Sequence, residues 1–125
     1  MKAILIDPRD RTVTEVERPG KSYKEINALI GADLFDVVRL GNGHVIYVDD
    51  EGLINGRINR DGCYMLKSTA QRHSCLLVGP GLVCGTTVDG DKAPGLTVEQ
   101  VRSMIDWVQA IQDGRVYGVD GEYDL

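Results

Sequence analysis

Thr97-Val98-Glu99-Gln100-Val101-Arg102-Ser103-Met104-Ile105-Asp106-Trp107-Val108-Gln109-Ala110-Ile111 is the stretch on which the fold reading turns. Thr97 stands where a helix N-cap belongs, and Gln100 completes a capping box in which each side chain satisfies a backbone N–H orphaned at the helix start. Leu96 and Val101 occupy the hydrophobic-staple positions. Val101, Met104, Ile105, Val108 and Ile111 recur at i, i+3, i+4, i+7 and i+10, which predicts one apolar face of an α-helix. Glu99 and Asp106 fall on the opposite face. Trp107 lies off the stripe, placed to flank the core or an interface. Asp113-Gly114 ends the element, and the tail 115–125 adds an edge strand before fraying.

Upstream, Lys2–Ile6 and Thr12–Glu17 read as a hairpin around Asp7-Pro8-Arg9-Asp10, whose Pro and Asp are turn formers. The first of these strands is apolar on both faces, which predicts a central place in the sheet. Ser22 and Glu25 match a second capping box before Ile26, Leu29 and Ile30, and Gly31 is placed to end that short helix. Leu34–Leu40 and His44–Asp49 form another hairpin across Gly41-Asn42-Gly43, residues that tolerate positive φ. Leu53-Ile54 adds a short third strand. Ser74–Gly79 and Leu82–Thr87 read as buried strand, with Gly79-Pro80-Gly81 as a break or bulge. Short links favour antiparallel pairing. The expectation is therefore α+β: a single domain over residues 1–125, one mostly antiparallel sheet built from hairpins with two helices packed on one face.

The 125 residues are 42% hydrophobic and 26% charged, ordinary globular composition that argues against a disordered chain. No apolar run approaches the about 20 residues that span a membrane, and the first residues are too soon interrupted for a secretory signal. The chain reads as soluble and cytoplasmic, with no membrane partner. Its three cysteines fit reduced thiols.

The net charge of −5 gives no global reason to bind duplex nucleic acid. The charge is uneven, however. Residues 57–73 carry Arg57, Arg60, Lys67 and Arg72 against Asp61 alone, a basic island of +3 in an acidic chain. This stretch has no clean period: Asn59 and Gly62 suggest loop, the rest can hold a short helix or strand, and long irregular segments are enriched in function. Its bland reading is a solvated segment and its sharper one an anion- or partner-binding patch. Tyr64 lies inside it, and a Tyr with Arg neighbours can stack a base while the cations hold phosphate. Arg57, Arg60, Tyr64, Lys67, Arg72 and His73 are the candidate ligand- or partner-binding residues.

Catalytic signatures are weak. His73, Cys63, Cys75 and Cys84 are potential zinc ligands, but their spacing matches no knuckle. A Cys–His nucleophile pair from Cys63 or Cys75 with His44 or His73 lacks an orienting partner. Gly79-Pro80-Gly81 lacks the Lys and the helix start of a phosphate loop. Asp89-Gly90-Asp91 lacks the further ligands of a calcium loop, and Asp49-Asp50-Glu51 reads as a solvated turn. No catalytic residue, metal or cofactor is assigned.

The opening Met1–Pro8 with Arg11–Val16, the centre Asp36–Gly43 with Val45–Leu53, and the later Val78–Thr86 with Leu96–Val101 resemble a family of small proteins from phages, prophages and conjugative elements, a domain of unknown function. The resemblance spans roughly residues 1–110 except 57–73. It implies a mobile-element origin and carries no catalytic role, since the matched residues are mostly turn and core positions. The function expected is that of a non-enzymatic accessory protein that antagonises host defence. It would bind a defence protein through its acidic surface, or sequester an anionic nucleotide signal at the basic island, at an oligomer interface. The alternatives are a small nucleotide-processing enzyme and a structural or regulatory module of element replication.

Overall fold

The computed structural model describes residues 1–20, 22–52, 56–67 and 75–124. The expected short strand at Leu53-Ile54 lies outside them. The described elements are β1 (Lys2–Asp7), β2 (Thr12–Glu17), α1 (Tyr23–Ile30), β3 (Phe35–Gly41), β4 (His44–Asp49), α2 (Arg57–Asp61), β5 (Cys63–Leu66), β6 (Cys75–Val78), β7 (Gly81–Thr87), β8 (Gly90–Lys92), α3 (Val98–Ser103), β9 (Ile105–Gln112), β10 (Arg115–Gly118) and β11 (Glu122–Asp124). They form two antiparallel sheets. The first has the order β2-β1-β7-β4-β3, with β8 attached to β7; the second has the order β11-β10-β9-β5-β6.

The first sheet follows from alternation. Val83 of β7 sits opposite Ile4 of β1 on one side and Ile46 of β4 on the other, and all three enter one core with Tyr64, Leu66, Leu77 and Ile105 of the second sheet. Leu82 sits between Leu5 and Tyr47, and this alternate set faces Ile26 and Ile30 of α1. Strands buried on both faces are apolar on both, as the central Ala3–Ile6 of β1, Val45–Val48 of β4 and Leu82–Cys84 of β7 are. Three layers result: α1, the first sheet, and the second sheet with α3. Each fully buried Ile or Leu contributes ~1.5–3 kcal/mol to holding them together.

The expectation of a single sheet with two helices packed on one face is overturned. The fold is mostly β, with two sheets and only small helices. The capping box at Thr97 and Gln100 does form, with both hydrogen bonds in place. Yet α3 stops at Ser103 and the chain continues as β9. Ile105-Asp106-Trp107-Val108 is β-branched and aromatic, residues that suit a pleated surface. Strand alternation sends Ile105 and Trp107 to the core while Asp106 points the other way. There Asp106 accepts the N–H groups of Asp120 and Gly121 and the Tyr123 hydroxyl at 2.9–3.0 Å, contacts a helix would not have given it. Asp113 and Gly114, both at positive φ, are the turn of the β9–β10 hairpin and not a helix stop.

Two further details differ. Ser22 caps α1 by accepting the Lys24 N–H, but Glu25 reaches back to the Gly20 N–H, so that capping box stays open. Gly79-Pro80 is not a bulge within one strand: it carries the chain from β6 in the second sheet to β7 in the first.

Candidate functional site

The basic island splits on folding. Its first part forms α2, whose Arg57 is buried against the end of α1. Arg57 Nε donates to Asp61 Oδ2 at 2.6 Å, Nη1 to Asp49 Oδ2 at 2.8 Å, and Nη2 to the Ile30 carbonyl. That carbonyl is one of the acceptors a helix leaves unsatisfied at its C-terminus, where the macrodipole also favours a cation. Burial pulls the Arg57 pKa down, but the hydrogen bonds to Asp49 and Asp61 outweigh it and the net shift is upward. Burial likewise pushes the Asp61 carboxyl up, and Arg57, with a smaller part from Arg60, more than reverses this and holds it below the usual aspartate value. Gly79 is required here: a Cβ would lie 2.8 Å from Arg57 Nε, and its φ is +76°.

This buried cation forms part of the wall of a cleft of about 360 Å³ between the β1–β2 turn, the end of α1, and α2. Leu5, Leu29 and Pro80 are among its apolar lining residues, and its charged ones are Asp7, Arg9, Arg57, Arg60 and Asp61. Arg9 and Arg60 come from separate elements, and their side chains are 63% and 67% exposed. Each has a carboxylate neighbour at a loose distance: Arg9 to Asp7 at 3.8 Å and Arg60 to Asp61 at 3.4 Å. Exposed pairs of this kind hold little energy, so both guanidinium groups are free to turn to another anion.

Arg57 and Arg60 are thus brought together, and the other island residues are not. Tyr64 is fully buried in the core, its ring edge-on to Trp107 with centroids 6.1 Å apart. Burial drives its pKa up and its hydroxyl has no partner among the described residues, so its ring is not presented to a base. Lys67 pairs with Asp120 at 3.8 Å, beside the C-terminal strands. Arg72 and His73 lie outside the described residues. Sequence reasoning missed Arg9 and Asp7, which sit some fifty positions from the island, and it read Asp49 as solvated although its side chain is 5% exposed. A charge count along a window does not see residues that meet only through the fold.

Burial pushes the Cys63, Cys75 and Cys84 thiols upward, opposite to what a nucleophilic thiolate needs. Among the described residues no group of three or more His, Cys, Asp or Glu could hold a metal ion. Asp91, read as a turn residue, is buried and accepts from both Arg18 and the Tyr47 hydroxyl. Among the described residues no helix is long and apolar enough to cross a membrane.

The family described as Domain of unknown function (DUF3846) matches residues 1–109, and the chain belongs to it. The cleft residues Arg9, Arg57 and Arg60 all fall inside that match, while β10 and β11 lie beyond it. Neither the curated proteins nor the solved structures contain a match to this chain.

Proposed function

We propose that this protein is a non-enzymatic binding protein that holds an anionic nucleotide in the cleft of Arg9, Arg57 and Arg60. One observation carries the reading: two exposed arginines from different elements face one cleft beside a third that is already fixed in place. Arginine forks match phosphate oxygens two at a time, and a pre-set cleft spares the ligand much of the ordering it would otherwise impose. The cleft volume falls within the range usual for small-molecule sites, and Leu5, Leu29 and Pro80 offer an apolar surface to a base or sugar. Three arginines against two aspartates leave the lining positive in a chain of net charge −5. In this reading the protein serves a phage or other mobile element by sequestering a nucleotide signal from host defence in the host cytoplasm.

The test is a thermal-shift and calorimetric comparison with ATP, a cyclic dinucleotide and inorganic phosphate as probes. The wild type is expected to gain stability with at least one nucleotide. The double variant Arg9→Ala/Arg60→Ala is expected to melt as the wild type does without ligand and to gain nothing with it. No response from the wild type, or an equal response from the variant, removes the proposal. Release of a chemically altered nucleotide would replace it with the small-enzyme alternative.

A further inference from the structure

The segment Ala93–Thr97 runs from the end of β8 to the N-cap of α3 and crosses the start of β4. Among the described residues a single side-chain hydrogen bond ties this strap to the sheet beneath: the Gly95 N–H donates to His44 Nε2 at 2.9 Å. Its Leu96, with Val98 just beyond it, packs on the core shared by the two sheets.

The tie dictates the state of the ring. A ring nitrogen accepts a hydrogen bond only when it carries no proton, so Nε2 is bare and the proton of the neutral imidazole sits on Nδ1. Nδ1 is buried and has no hydrogen-bond partner among the described residues. The neutral ring is therefore held by its Nε2 acceptor alone. Taking up a second proton turns that acceptor into a donor facing the donor of Gly95, and the tie is lost.

Strand alternation puts His44 on the same sheet face as Ile46 and Val48. The adjacent row on β7 is Gly85, and beyond it Lys92 of β8 lies over that glycine, its Cγ 2.9 Å from where a Cβ would stand. On the β3 side the opposing residue is Gly41, followed by Leu40. The strap is uncharged, and Glu99 and Arg102 follow it on α3. Lys92 is the charged residue that these rows bring over Gly85, on the side of β7 that faces His44.

We infer that His44 is a pH-sensitive clasp: the neutral imidazole holds the 93–97 strap down through Gly95, and protonation releases it. Histidine is the side chain whose charge change belongs to the physiological range, and acidification through that range is the condition that tests the clasp.

The experiment follows individual amides of the full chain by nuclear magnetic resonance as the pH is lowered through the imidazole range. Hydrogen exchange at Gly95, corrected for its intrinsic pH dependence, is expected to quicken several-fold while amides of β1, β4 and β7 keep their protection. Nitrogen shifts of His44 at neutral pH are expected to show the proton on Nδ1. His44→Gln, which retains an acceptor for Gly95 but does not titrate, is expected to keep the strap closed at every pH tested. A bare Nδ1, a Gly95 amide indifferent to pH, or a Gln variant that loosens as the wild type does would each overturn the clasp.

Discussion

Helix α1 is tied to its surroundings at both ends by a buried arginine, and the two ends are held in different ways. At the C-terminal end Arg57 donates to the Ile30 carbonyl, where the helix itself favours a positive charge, and two carboxylates complete its shell. At the N-terminal end Arg18 is 0% exposed and lies where the helix disfavours a cation. Its charge is carried by Asp91 at 2.6 Å, with Glu25 at 3.6 Å, and Asp91 is steadied in turn by the Tyr47 hydroxyl at 2.8 Å. Arg18 also donates to the Ser22 carbonyl and reaches Cys84 Sγ. The helix dipole favours one arginine and opposes the other, which depends on carboxylates brought from β8 and α1 besides the Ser22 carbonyl. Burial alone does not distinguish them; the partners do.

The comparison can be broken most directly by deleting each cation. Arg57→Ala removes the buried cation shared by Asp49 and Asp61, leaves Asp61 with only the exposed Arg60, and takes away the donor to the Ile30 carbonyl. It is expected to cost about 3–5 kcal/mol by urea unfolding at neutral pH. Arg18→Ala strands one carboxylate that keeps a hydroxyl donor, and its expected cost is smaller, about 2–3 kcal/mol. An equal or reversed order would show that the count of orphaned carboxylates does not set the scale.

Acid sharpens the same contrast. The folded Asp61 carboxyl titrates below its ordinary value, so its share of stability is complete above the usual aspartate range and is lost as the pH falls through the folded value. The gap in stability between wild type and Arg57→Ala is therefore expected to be constant at neutral pH and to narrow below about pH 4. A gap that persists unchanged into strong acid would separate Arg57 from Asp61. The smallest effect is expected from Tyr47→Phe, which removes one donor from Asp91 and keeps the ring packed edge-on against Phe35. About 1 kcal/mol is expected by the same unfolding measurement.

The first sheet was legible because its signals are local. The strands β1, β2 and β4 and the α1 boundaries follow from alternation, a cap and turn residues, each readable within about ten positions. The second sheet was legible only in part. The strand at 75–78 and an edge strand in the tail were expected, but β5 and β9 were not, because what pairs Tyr64 with Trp107 and Leu66 with Ile105 is contact across some forty positions. The spacing of Val101, Ile105 and Val108 satisfies a helix and also places Ile105 and Trp107 on one side of a strand. The hairpin turn at Asp113-Gly114 was the local signal that could have decided between them. Of the cleft, Arg57 and Arg60 stood out as part of a charge excess. Asp49 and Arg9 did not, because a lone carboxylate or arginine in a turn looks the same whether it ends in water or against a partner from elsewhere in the chain.

The position of β7 between β1 and β4 has a consequence for how the molecule is made. The two N-terminal hairpins are complete by residue 49, yet no hydrogen bond of the first sheet joins one to the other until residues 81–87 slot between them. During synthesis the apolar edges of β1 and β4 therefore wait, unmatched, while the ribosome adds more than thirty further residues. Unmatched apolar strand edges invite pairing with other chains, and the insertion of β7 covers both edges at once.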